Sequence, residues 1–152
     1  PDGRACGVPG MILLDTNVLS ALMQRAPDPA VVDWLDTQVP QDIWLTTITV
    51  FEVRYGLNVL AEGTKRDMLL QRFEDLVAED LAQRVIGLDS RAAAAAAQLA
   101  AQRKARGRPV DIRDTFIAGI AMAQGAVLAT RNTRHFDDLT TPVVNPWGGA
   151  GH

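Results

Sequence analysis

Three carboxylates dominate the chemistry that this sequence offers. Asp15 follows directly on the apolar run Met11-Ile12-Leu13-Leu14. Glu52 closes Thr49-Val50-Phe51-Glu52, and Asp114 precedes the apolar and small stretch from Thr115 to Ile120. Each has an ordinary structural reading. An acid after a strand caps a turn or a helix, Thr49-x-x-Glu52 has capping-box spacing, and Asp111 with Asp114 can open a helix in the same way. The other reading is convergence. Carboxylates gathered at one spot repel, and burial penalises their charge unless a cation compensates. A divalent cation would do so. With one cysteine and two histidines, one of them terminal, the chain has no means to build a Cys- or His-rich centre. The remaining donors are oxygens, which suit Mg2+ or Mn2+ rather than zinc. An acidic metal cage with arginines nearby fits hydrolysis of phosphodiesters and needs no nucleophilic side chain.

Positioning these acids falls to alternating strands and helices. Ile12–Leu14 is short and wholly apolar, as in a central strand buried on both faces. A helix is expected from about Val18 to Met23, and a second from Pro29 to about Thr37. Ile43–Thr46 reads as strand two. Thr49 opens a helix that Gly63 closes, and an amphipathic helix follows from Lys65 to about Leu81. Arg84–Ile86 is strand three. Asp89 or Ser90 caps a long Ala-rich helix whose small side chains permit close packing. Asp111 caps a helix over Ile112–Gln124 ended by Gly125. Strand four is Ala126–Thr130 and strand five Pro142–Asn145. The pattern predicts one α/β domain with a mainly parallel five-stranded sheet between two helical layers. It puts the three acids near helix starts after strands one, two and three, at the carboxyl edge where such sheets bind ligands.

The chain of 152 residues carries a formal charge of −3. That total conceals an asymmetry. Residues 1–80 hold six basic and thirteen acidic side chains, and residues 81–140 hold nine and five. The apolar fraction of 47% is that of an ordinary globular domain, so disordered and collagenous classes are excluded. No window approaches the roughly 18 apolar residues of a membrane span. Residues 1–10 have no periodicity and are expected to be an added or disordered leader before Met11, which sets Cys6 outside the functional argument. The domain is expected over residues 11–147, with a short tail at 148–152. No leader-like apolar segment is evident, and a cytoplasmic location is expected.

The blocks Met11–Val18, Thr46–Gly56, Asp114–Ala118 and Leu128–Phe136, with Val144-Asn145-Pro146-Trp147 after them, occur in an order and at intervals that resemble PIN-domain toxins of the VapC type, closest to the FitB-like branch. The resemblance spans about Met11 to Trp147. It implies a PIN-like three-layer α/β/α domain and a Mg2+- or Mn2+-dependent endoribonuclease, the toxin half of a toxin–antitoxin pair. Carried over by position, Asp15, Glu52 and Asp114 match the family's acidic metal-site residues. Asp15 and Asp114 are the implied direct ligands, and Glu52 a ligand or the group that orients attacking water. A fourth acid common in the family is here Asn132, which adds no charge, so one tightly held ion is expected. Thr16, Asn17 and Thr46 or Thr47 neighbour the site and are expected to position water or phosphate, Thr16 and Asn17 as substrate-binding residues. Arg131 and Arg134 flank Asn132 as candidate phosphate contacts, His135 is a candidate acid or RNA contact, and Trp147 reads as a packing anchor.

The implied partners are an RNA substrate, a cognate antitoxin wrapping the helices near residues 30–80, promoter DNA through that complex only, and a second copy in a homodimer, with Phe51 to Leu57 as a candidate interface. A different class of function, an antitoxin-bound interaction module serving promoter binding and autoregulation, shares these partners without needing free nuclease activity. A phosphatase of the haloacid-dehalogenase kind also places an Asp after strand one, but requires a second Asp where Asn17 stands.

Overall fold

The computed structural model describes residues 10–148. All of the expected leader but Gly10, Cys6 included, and nearly all of the expected tail lie outside that range. The elements run β1 (Ile12–Leu14), α1 (Thr16–Leu22), α2 (Pro29–Asp36), β2 (Ile43–Thr46), α3 (Thr47–Asn58), α4 (Thr64–Asp75), β3 (Val85–Ile86), α5 (Ser90–Ala105), α6 (Ile112–Gln124), β4 (Val127–Ala129) and β5 (Val143–Val144). All the strand pairs are parallel, in the order β3-β2-β1-β4-β5. Register pairs Ile12 with Ile43 on one side of β1 and with Val127 on the other. The chain therefore builds outward from β1 to β3, then returns to β1's free side as β4. That reversal leaves a crevice at the carboxyl ends of β1 and β4, the place where open parallel sheets bind ligands.

Strand periodicity divides the core. Ile12 and Leu14 join Val18, Leu19, Val31, Leu45 and Phe73 on one face. Met11 and Leu13 join Ala92, Leu99, Ile117, Ile120, Leu128 and Phe136 on the other. This is the two-residue alternation of a strand buried on both sides. Helices α1 to α4 cover the first face, and α5 and α6 the second. The Ala-rich stretch of α5 packs closely, as expected: Ala92 and Ala96 are buried against Gly119 of α6. No helix among the described residues is long and apolar enough to cross a membrane.

Both ends of α3 differ from the sequence reading. Helix α3 begins at Thr47, because Thr46 is the cap, its Oγ1 accepting the Thr49 N–H at 3.1 Å. Thr46 and Thr49 are equally good caps in isolation; the end of β2 selects the first. Glu52 thus lies beyond the first turn, and the capping-box reading of it fails. The same helix stops at Asn58, before Gly63, which instead precedes α4 with φ of 150°, a conformation that suits glycine. Asp114 also does not directly follow β3: α5 intervenes, and Asp114 sits in the first turn of the second helix of that crossover.

A buried ion pair fastens the turn Thr133–Phe136 to α5. Arg103, 2% exposed, donates to both carboxylate oxygens of Asp138 at 2.9 and 2.8 Å and to the His135 carbonyl at 2.8 Å. The guanidinium's hydrogen bonds hold the Asp138 carboxyl below its ordinary value of 3.8. A depressed carboxyl contributes stability that is present above its unfolded pKa and lost as pH falls through the folded one. The Asp138→Asn variant is therefore less stable than the parent at neutral pH, with a gap that narrows in acid. Urea denaturation across that range checks this; a gap independent of pH would contradict it.

Candidate functional site

Asp15 ends β1 and caps α1. Its backbone N–H donates to Ala129 across the sheet at 2.9 Å, and its Oδ1 accepts the Thr16 N–H at 2.8 Å. Capping uses only that oxygen. Oδ2 accepts the Thr130 hydroxyl at 2.7 Å and, more loosely, the Asn17 amide at 3.4 Å. Asp15 is 5% exposed, and burial pushes its carboxyl above the usual range. The hydrogen bonds from Thr130 and Thr16 oppose that push, and the charge of Asp114 adds to it. No Lys or Arg pairs with Asp15 among the described residues.

Asp114 is released from capping by Asp111, whose Oδ1 accepts the Asp114 N–H at 3.0 Å. Its carboxylate faces His135, with Nδ1 3.3 Å from Oδ2. Burial raises the Asp114 carboxyl, the charges of Asp111 and Glu52 raise it further, and His135 works against them. Glu52 is held by the Thr16 hydroxyl at 2.7 Å and by Arg113, 3.7 Å away and carried on the same helix as Asp114. A cavity of about 200 Å3 lined by Arg103, Arg108, Pro109, Asp111, Asp114 and His135 opens beside Asp114.

At the carboxyl edge of the sheet the charge of Asp114 thus acts on Asp15, and that of Glu52 on Asp114. As the side chains stand, no group of three or more His, Cys, Asp or Glu among the described residues is gathered tightly enough to hold an ion. The reason is visible in the contacts. Glu52 and Asp114 each have a partner of their own. The donor set nonetheless fits a hard divalent cation: carboxylate oxygens, and a buried Asp15 that no Lys or Arg pairs with among the described residues, His135 alone easing its charge.

The other expected site residues separate. Thr16 and Asn17 spend their hydrogen bonds on the protein: the Thr16 hydroxyl on Glu52, and Asn17 on Asp15, Thr130 and the Arg131 N–H, which its Oδ1 accepts at 3.1 Å. Thr46 is fully buried as a cap, and Thr47 is exposed. Asn132 is exposed, its N–H donating to Thr130 Oγ1 at 3.0 Å, and no hydrogen bond engages its side chain among the described residues. Arg131 lies over the Trp147 ring, 4.7 Å from its centroid. Arg134 contributes its carbonyl, which accepts from Arg108, and no contact draws its side chain towards the acids. Trp147 is an anchor as expected, its indole N–H donating to Asp28 at 2.9 Å.

No local pattern singles out Thr130, Arg113 or the pairing of His135 with Asp114. Thr130 ends a strand that neighbours β1, but only the sheet order says so. The sequence matches the PIN domain family over residues 12–141. It is 40% identical to the VapC ribonuclease Y4jK of Sinorhizobium fredii over 137 residues, 90% of this chain and 98% of that protein. It is 37% identical to toxin FitB of Neisseria gonorrhoeae, over 90% of this chain and 99% of that one. The solved structure of FitAB bound to an IR36 DNA fragment superposes with a TM-score of 0.82 at 37% identity, covering 90% of this chain and 96% of the other.

Proposed function

Because the chain belongs to the PIN-domain family, among the VapC and FitB nucleases of toxin–antitoxin systems, we propose that it is a metal-dependent endoribonuclease acting at the Asp15, Glu52 and Asp114 edge. The observation that carries this reading is Asp15, a buried carboxylate beside a second raised carboxyl and with no Lys or Arg paired to it among the described residues. In this reading Asp15 and Asp114 hold Mg2+ or Mn2+, with Glu52 close by. Bound there, the ion supplies positive charge for the phosphoryl oxygens and acidifies water.

The chain's own residues do the rest. Thr130 and Asn17 keep Asp15 aimed outward from the β1 end. Thr16 fixes Glu52, which orients the attacking water and takes its proton. Water attacks phosphorus in line and the P–O bond to the leaving ribose breaks, the departing oxygen taking a proton from solvent. Arg131 and Arg134 supply positive charge to the RNA backbone, and Asn132 stands where a further acid would bind a second ion. A purified-protein assay on total RNA, with Mg2+ and with EDTA, tests this; equal cleavage in both would sink it. A thermal melt gives an independent check. Protons and cation compete for the same carboxylates, so Mg2+ or Mn2+ raises Tm more at pH 7 than at pH 5. A rise that does not change with pH would contradict the ligand assignment.

The same reading assigns the protein to the cytoplasm, bound to an antitoxin and reaching promoter DNA only through it. Support comes from an apolar cavity of about 410 Å3 between α1, α2 and the end of α4, lined by Leu22, Leu35, Leu76 and Leu81. That cavity lies in the segment where the partner is expected, and the homologous FitAB structure is bound to DNA. Phe51 and Tyr55, each 56% exposed and stacked with ring centroids 6.1 Å apart on α3, favour this helix as the homodimer face.

A further inference from the structure

We infer that Arg131, laid over Trp147, is a stacking platform for an unpaired nucleobase beside the cleaved bond, rather than only a phosphate contact. The inference rests on the ribonuclease reading above. Four observations lead to it. Arg131 follows Thr130, whose hydroxyl holds Asp15, and its own N–H is held by Asn17, so its backbone is fixed at the edge of the site. Its guanidinium carbon sits 4.7 Å from the Trp147 ring centroid. Trp147 in turn is tied down through its indole N–H to Asp28 and packs against the core beneath α1 and α2. Finally, Arg131 is exposed, and no carboxylate or carbonyl engages its guanidinium among the described residues.

A free arginine side chain loses much rotamer freedom when it binds. Here the indole restricts that freedom in advance: the guanidinium carbon sits over the ring, and the residue remains exposed to solvent. Single-stranded RNA is recognised through splayed bases stacked on aromatic rings and on arginine planes. As an exposed planar cation Arg131 suits a base, and its unengaged N–H edge suits the adjoining phosphate. Arg134, three residues on, has no such backing and would act as a charge alone.

The test is equilibrium binding in EDTA, read by fluorescence anisotropy. A short single-stranded RNA is compared with a ribose-phosphate oligomer of equal length that lacks bases. The parent is expected to prefer the base-bearing oligomer by roughly tenfold, the scale of one stacked base. Arg131→Lys keeps the charge and removes the plane. It is expected to abolish most of that preference while leaving the salt dependence of binding nearly unchanged, because the count of phosphate-facing charges is the same. Arg131→Ala is expected to lose both the preference and about one charge of salt dependence. As an exposed residue, Arg131 should tolerate either change without unfolding, and a melt of each variant checks this. If Arg131→Lys keeps the parent's preference, the residue is a point charge and the platform is refuted. A parent that cleaves RNA but shows no preference refutes the platform alone. A parent that neither cleaves RNA nor binds either oligomer refutes the ribonuclease reading with it.

Discussion

Asp15→Asn and Asp114→Asn are each expected to lower RNA cleavage by about 10^3-fold with the fold intact. The change keeps shape and removes one negative charge from the cation site. A correctly held divalent ion contributes several kcal/mol of transition-state stabilisation, and each ~1.4 kcal/mol is tenfold in rate. Neither substitution removes a helix cap, although in Asp15→Asn the amide nitrogen takes the place of Oδ2 and the Thr130 hydroxyl must turn to accept from it. In Asp15→Asn the amide oxygen still caps α1 by accepting the Thr16 N–H. In Asp114→Asn the cap of α6 is untouched, because Asp111 provides it.

Stability supplies a second readout of opposite sign. Burial and the charges of Asp111 and Glu52 raise the Asp114 carboxyl. A carboxyl whose folded pKa is raised gives up stability as pH rises through that value, so at neutral pH the ionised group weakens the metal-free fold. Asp114→Asn removes that cost and should melt at or above the parent in EDTA, by up to a few degrees, while losing most of the Tm rise that Mg2+ or Mn2+ brings. A variant both inactive and much less stable would make Asp114 a structural residue instead. Retention of full cleavage by Asp114→Asn would remove it from the site. Loss of function with gain of stability is the usual mark of charges gathered for binding.

Gly119→Ala is expected to destabilise the protein by about 2–4 kcal/mol, although alanine is the better helix former by ~1 kcal/mol. The reason is distance. A Cβ at Gly119 would stand 2.5 Å from the Ala92 carbonyl oxygen, 2.7 Å from Ala96 Cβ and 2.9 Å from Ala96 N. Two of those atoms are backbone, so no rotamer relieves the clash and α5 and α6 must move apart. The displacement reaches the site, because α6 carries Asp114 in its first turn, and Arg113 beside it pairs with Glu52. Cleavage should fall as well, in the population that remains folded. For a chain of this size the Tm should drop by roughly 5–15 °C. A calorimetric scan of the variant measures it, and a Tm equal to or above the parent's would show that the helices yield freely.

The Ala run of α5 marks a close-packing surface by its composition alone, yet nothing local singles out Gly119 as its partner. The same limit applies to Glu52. Its spacing from Thr49 is that of a capping box, and either threonine suffices as a cap. Only the register of β2 against β1 and β3 shows that the strand ends at Thr46 and leaves Glu52 one turn further along. Asp111 and Asp114 illustrate the opposite case. The helix start at Asp111 is legible because capping is a contact within four residues, and the capping by Asp111 is what leaves Asp114 free to face the site.

What the sequence by itself determined is therefore the local and periodic part: apolar runs that must be buried strands, caps and glycine stops, the alternation that implies a parallel sheet, and the position of Asp15 at its carboxyl edge. These follow from hydrogen bonding and burial over a few residues. The tertiary structure alone decided who meets whom at that edge. Thr130 reaches Asp15 across 115 residues of chain and Thr16 reaches Glu52 across 36, while Arg131 finds Trp147 and His135 finds Asp114. Each pairing depends on β4 returning to the free side of β1 and on the crossover helices bringing their ends back to it. A sheet's strand order is set by the packing of its whole core, so no short stretch of sequence carries it.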